Sequence, residues 1–322
     1  MNIFASRRLL PLQIALWVLP LAGVVWWASQ QDAPTLPDSA AGGFELLAAL
    51  GVYAVATLAR AERWHAILLA EGIPAKRADT HALVPIGYMG NNALPARSGE
   101  LLRVFLLKSR VPESSKRTIL GTVLVERVLD AITLGALLLV VAWSLVGKLR
   151  LPSSPILLAA IGVVLVLGVI VTILLVRREH LWRRFVDTIK PVLKPLRHVG
   201  TRRGAVLLLG SVAIWILEAT VYQLVGEAVD IHLGLHGALA VVAFTNLATL
   251  VPAAPGYVGT YDAAVLVAVK ATTTITNKLA FSYLILLRFV LFVPITLVGL
   301  VLLFVRYGGL SRLRAARAEA PA

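Results

Sequence analysis

Two apolar stretches of this chain are interrupted in the same way. LPARSGE (residues 94–100) returns in altered form as VPAAPGY (residues 251–257), so Pro95 matches Pro252, Ala96 matches Ala253 and Gly99 matches Gly256. The interruption constrains the fold because a segment in hydrocarbon must satisfy its own backbone groups, and proline ends the helix that does so. Each broken element, about 80–108 and about 237–270, divides into arms of about 12 to 14 residues. At 1.5 Å per residue such an arm reaches about 20 Å, short of a hydrocarbon core about 30 Å thick. Each element is therefore either a re-entrant hairpin or one kinked crossing.

The remainder of the chain supplies the surroundings. Of its 322 residues 58% are hydrophobic and the mean hydropathy is +0.83. A soluble domain sits nearer half apolar, so this is an integral membrane protein. Six segments are long enough for full spans, roughly 9–29, 43–60, 118–146, 155–176, 205–226 and 280–305. The first is read as an uncleaved span, because its apolar run exceeds a signal-peptide core and no small-x-small site follows. The absence of cysteine removes disulfides and thiolate chemistry, and none of the six histidines forms HExxH. No metal and no cofactor is expected.

Charge decides between hairpin and crossing. The net charge of +14 is the positive-inside bias of a multi-pass protein, not the footprint of a nucleic-acid binder. With hairpins, 25 of the 31 basic residues fall on the cytoplasmic side, Arg60, Arg63 and the nine between Arg177 and Arg203 among them. If both elements crossed, the nine-residue cluster would face outward. The sequence therefore predicts an all-α, polytopic protein of the cell (inner) membrane, with about six spans, two re-entrant broken-helix hairpins and both termini cytoplasmic. The whole of 1–322 forms one transmembrane domain. Its two repeats, about 43–146 and 205–305, are joined by span 155–176 and basic segment 177–203, and residues 307–322 form a basic tail. Three spans separate the hairpins, which makes the repeat inverted, as in alternating-access carriers. Segment 177–203 either lies along the anionic leaflet or is a solvated connector.

Ionisable groups inside spans are costly and mark candidate sites. Glu126, Arg127 and Asp130 stand together in VLVERVLDAITL. Helical spacing puts Glu126 and Asp130 on one face and lets Arg127 reach Asp130. Arg288 follows Pro252 by 36 residues, much as Arg127 follows Pro95 by 32. Two such arginines, each able to bind phosphate bidentately, would suit an anionic headgroup. Glu218 is a candidate to balance Arg288. Beyond each break a new helix is expected, near Ser98 and near Pro255 or Gly256, its free N–H groups offering an anion site. Gly99, Gly256 and Gly259 would allow close backbone approach. Asn91 and Asn92 supply amides at the first break; Asn246, Thr249 and Thr260 stand near the second. No GxSxG, Walker loop or DxD appears, and Glu100 and Asp262 are weak as isolated acids.

The runs GYMGNNALPARSGELLRVFLL, VERVLDAITL and VPAAPGYVGTYDAAVLV resemble the flippase-like transmembrane domain of lysylphosphatidylglycerol synthases over about residues 9–306. The N-x-x-P-x-R-x-G-E core is carried by Asn92, Pro95, Arg97, Gly99 and Glu100, with Arg103 following; the later E-R-x-x-D is carried by Glu126, Arg127 and Asp130. The resemblance implies translocation of an anionic or modified phospholipid between leaflets. Those synthases carry an aminoacyl-transferase domain after this region, whereas this sequence stops at Ala322. Synthase activity is therefore not carried over, and a separate lipid-synthesis enzyme is the expected partner. The expectation is a lipid carrier and not an enzyme. The alternatives are a scaffold for a lipid-modifying enzyme, or a polyprenyl-linked headgroup transferase using Glu126 or Asp130 as base.

Overall fold

A computed structural model describes residues 26, 29–30, 33–94, 98–145, 194–198, 200–249 and 255–308. Pro95, Arg97 and Pro252 lie outside the described residues, as do spans 9–29 and 155–176 apart from two positions of the first, most of segment 177–203, and the tail from 309. Among the described residues the only regular secondary structure is helical, with no strand. Eight helices follow one another: α1 (Ala40–Ala70), α2 (Arg77–Ala93), α3 (Gly99–Arg110), α4 (Lys116–Leu145), α5 (Arg202–Glu227), α6 (Gly234–Ala248), α7 (Thr260–Thr272) and α8 (Asn277–Tyr307). Short 3-10 turns occupy Lys194–His198 and Pro255–Tyr257. Among the described residues, three helices, α1, α5 and α8, are long and apolar enough to cross a membrane. The chain is an all-helical, polytopic membrane protein.

The long helices are started by side-chain caps. Ser39, Thr201 and Thr276 each accept a hydrogen bond from the backbone N–H three residues on, which satisfies one of the orphan donors of a first turn. α8 ends on Gly308 in the left-handed conformation. α1 runs ten residues past the expected limit of its span. The apolar window stops at Arg60, but the helix continues because the arginines beyond it are neutralised from neighbouring helices, as described below.

The two broken elements fold back on themselves. α2 packs along α3, and α6 along α7. In the first hairpin the arms touch backbone to backbone: a Cβ on Gly99 would sit 1.9 Å from the Gly87 carbonyl, and one on Gly90 would sit 2.6 Å from the Gly99 Cα. Gly99 thus serves the seam between the arms, the small-residue contact that lets helices approach closely in a membrane.

α8 measures the depth of each hairpin. At the base of the first, Asp79 meets Arg306 and Tyr307 at the end of α8; near its tip, Asn92 bonds Thr296. At the base of the second, Lys270 bonds Asn277 at the start of α8; at its tip, Gly256 and Asp262 meet Arg288. The hairpins therefore enter from opposite ends of the bundle. Their tips meet midway, where a Cβ on Gly256 would lie 3.5 Å from the Asn92 carbonyl.

Two apolar cores lie on either side of that meeting level. One, including Trp64, Leu83, Ile86, Leu107 and Ile119, surrounds the first hairpin; the other, including Tyr222, Val265, Tyr283 and Leu287, surrounds the second. Outward faces carry Phe44, Leu47, Leu58, Leu209, Leu297 and Val301 exposed, a surface suited to lipid tails.

Candidate functional site

Between the two cores lies a polar layer. Four arginines and four acids meet there, drawn from α1, α3, α4 and α5. Arg60 is ion-paired with Glu218. Arg63 donates to Asp130 at 2.7 Å and to Ser211 at 2.6 Å, and stands 4.0 Å from Glu126. Arg103 donates to Glu126 at 2.5 Å and stacks over Trp64 at 4.0 Å. Arg127 reaches Glu100 at 3.3 Å and Asp130 at 3.6 Å, the second contact being the i,i+3 pair expected from the sequence. The cluster carries no net formal charge. Charges this deep persist only when paired and hydrogen-bonded.

A cavity of about 110 Å³ opens beside this cluster. Its charged lining is Arg60, Arg127, Asp130 and Glu218; its amides are Asn91, Asn92 and Asn246. Aromatic walls come from Tyr53, Tyr88, Trp215, Tyr222, Tyr257, Tyr261 and Phe292. Tyr222 and Tyr261 share a hydrogen bond of 3.0 Å between their hydroxyls, with Thr245 3.3 Å from Tyr222. The cavity therefore combines apolar walls with a few oriented polar groups, the usual make-up of a ligand site.

The structure gathers part of the expected site and redistributes the rest. Asn91, Asn92, Arg127, Asp130 and Glu218 line the cavity, with Glu100 at its margin on Arg127. Glu126 and Arg103 stand behind, in the buried network. Arg288 is not on the lining. Its guanidinium lies between the rings of Tyr261 and Phe292 at 5.3 and 4.8 Å, and bonds Asp262 and the Gly256 carbonyl at 2.5 and 2.9 Å. This corrects the pairing of Glu218 with Arg288: Glu218 is neutralised by Arg60, and Arg288 by Asp262. Arg60 and Arg63, counted from the sequence with the cytoplasmic side, lie within α1 and are buried in this network.

The helix starts at the breaks are also occupied by the protein itself. The Gly99 N–H donates to Asn91 Oδ1 at 3.0 Å, and Glu100 lies in the first turn of α3. In the second hairpin the helix begins at Thr260, later than expected, after Gly256 and Gly259 at φ 65° and 89°. Asp262 then accepts from the Gly259 N–H at 2.8 Å. A carboxylate in the first turn already compensates each helix dipole, so the helix ends are not open anion sites.

Arg60 and Trp215 were missed by sequence reasoning. The signal was present: the three acids Glu126, Asp130 and Glu218 within spans were set against two arginines, Arg127 and Arg288, which called for a third basic residue at the same depth.

The sequence pattern described as the lysylphosphatidylglycerol synthase TM region matches residues 10–299. The glycosyltransferase AglD of Haloferax volcanii is 28% identical over 278 residues, covering 72% of this chain and 44% of that protein. The chain thus spans under half the length of that relative. A UPF0104 membrane protein of Methanocaldococcus jannaschii is 27% identical over 221 residues, covering 67% of this chain and 93% of that protein. No solved structure matches the chain.

Proposed function

The chain belongs to the lysylphosphatidylglycerol synthase transmembrane-region family, and from that premise we propose that it carries a lipid between membrane leaflets. The cargo is an anionic or modified phospholipid, or another lipid-linked polar headgroup. The observation that carries this reading is the charged cavity at the level where two hairpins from opposite ends meet, with an apolar core on either side. An ionised headgroup cannot cross hydrocarbon alone, because its unpaired transfer costs tens of kcal/mol. A polar chamber at mid-depth removes that cost, while the acyl tails stay on the lipid-facing surface. Moving one hairpin, then the other, opens the chamber to each face in turn.

The basic end of the bundle holds Lys76, Arg77, Arg110, Lys116, Arg117, Arg202, Arg203 and Arg306. The other end holds Asp38, Glu45, Glu227 and Asp230, with Lys270 and Lys278. The positive-inside bias makes the first end cytoplasmic, in the cell membrane, with both termini on that side. We assign no catalytic step to the chain: among the described residues, the two acids on the cavity lining, Asp130 and Glu218, are each paired with an arginine. A separate enzyme would supply the lipid.

Reconstitution of the purified chain in liposomes tests the reading. A headgroup-labelled phosphatidylglycerol should pass from the inner to the outer leaflet with its chemical composition unchanged. A new lipid product would favour a transferase, as the name of the Haloferax relative suggests for that protein. Neither movement nor product would favour a scaffold for a lipid-modifying enzyme.

A further inference from the structure

Two buried donors on the cavity wall lack an acceptor. Arg60 Nη1 and Trp215 Nε1 have no hydrogen-bond partner among the described residues. Both residues line the cavity, and they are 6% and 5% exposed. They are neighbours across the α1–α5 contact, the guanidinium carbon lying 5.4 Å from the centroid of the Trp215 ring. Glu218 holds Arg60 by its other terminal nitrogen, which fixes the direction of the free one. The Arg127 Nε, by contrast, lies 3.3 Å from a Glu100 oxygen and is compensated.

We propose that Arg60 and Trp215 form a phosphate-binding subsite on the α1–α5 wall of the cavity. An indole N–H and a guanidinium N–H can only donate. Without an acceptor, each would cost the desolvation of a buried polar group. A phosphate presents several oxygens, so it accepts from both donors at once, and arginine is suited to such an oxyanion. Because Glu218 already balances Arg60, the bond is made by direction and not by bulk positive charge. The ligand is the phosphate of a lipid headgroup or a free phosphate ion; both offer the same oxygens. The identity of the ligand as cargo rests on the carrier reading above, but its binding does not.

Binding is tested on the full chain in detergent. The probes are dihexanoyl-phosphatidylglycerol, inorganic phosphate and, as the phosphate-free control, dihexanoylglycerol. Trp215→Phe removes one donor and keeps a ring beneath Arg60. Arg60→Lys keeps the charge opposite Glu218 and removes the planar fork. Each variant, folded by circular dichroism and elution volume, should bind phosphatidylglycerol at least about tenfold more weakly than wild type. If wild type also binds inorganic phosphate, the free ion is a ligand; if it binds phosphatidylglycerol alone, the phosphate must be presented on lipid. Wild-type binding in the variants, equal binding of dihexanoylglycerol, or no binding of either phosphate probe overturns the subsite. Should one variant fail to fold, the other decides. Absent lipid movement in wild-type liposomes would sink the carrier reading and leave this result standing.

Discussion

The Arg60–Glu218 pair bears two different demands. It must be neutral to remain buried, and it must keep one donor turned toward the cavity. Glu218→Ala removes the first condition and leaves an uncompensated charge, which should cost about 3–5 kcal/mol of stability. Thermal unfolding in detergent reads this as a large fall in Tm. Replacing both residues by methionine should recover most of the loss, because a well-packed apolar pair replaces an ion pair at little cost. The double variant should nevertheless fail to move lipid. A double variant as unstable as Glu218→Ala would mean that the pair matters for more than mutual neutralisation. At the surface, the His232 Nδ1–H donates to the Glu227 carboxylate at 2.6 Å, and this contact, which favours the charged imidazolium, raises its pKa above the ordinary histidine value. The folded pKa lies above the unfolded one, so the stabilisation is complete below the unfolded pKa and fades as pH rises through the folded value. NMR titration of His232 should show its pKa falling toward the ordinary value in Glu227→Gln.

At the scale of elements, each hairpin is latched to the span that follows it. Glu100 in the first turn of α3 meets Arg127 in α4, and Asp262 in the first turn of α7 meets Arg288 in α8. The acid precedes its arginine by 27 residues in one half and 26 in the other. This matches more closely than the spacing counted from the prolines. The latch in the second hairpin also holds Gly256 and Tyr257, whose φ values of 65° and 57° are left-handed; Tyr257 adopts this region against its own steric preference. Arg288→Gln and Asp262→Asn should therefore have the same effect, faster hydrogen exchange at residues 255–262, and the double variant should add little to either. Additive effects would show that the two groups act separately. In the first hairpin, Gly99→Ala forces a methyl into the Gly87 carbonyl and should cost at least about 1–3 kcal/mol. Gly51→Ala, in open space on α1, should be neutral or stabilising by about 0.5–1 kcal/mol. The hairpins were legible in the sequence because proline and glycine act locally. The role of Gly99 was not, since the close contact arises only when residue 99 returns to residue 87. Arg288 was misassigned for a related reason: its partner Asp262 stands on another helix, and an isolated acid carries no signal by itself.

For the molecule as a whole, the charge pattern was legible because it depends on counts along the chain, and it agrees with the direction of every long helix. α1 and α8 run toward the basic end, and α4 and α5 run away from it, as contacts such as Gly42 with Ala228, Trp64 with Thr122 and Arg63 with Ser211 require. What hydropathy could not give was the depth of Arg60 and Arg63. An apolar window ends at the first arginine whether that residue meets water or a buried acid. Removing these two from the tally of loop charges weakens the bias only slightly, because the basic end still outnumbers the opposite one by a wide margin. That surplus fixes a prediction for the orientation of the entire bundle. The natural chain has no thiol, so a single introduced cysteine can be labelled without background. Arg77→Cys, at the exposed base of the first hairpin, should react with an impermeant maleimide only after the membrane is opened from the cytoplasmic side. Asp38→Cys, exposed before α1, should react in intact cells. Labelling of both from outside would mean that α1 does not cross the membrane. Reversal of the two would turn the basic end outward and remove the orientation, while leaving the two opposed hairpins and the cavity between them intact.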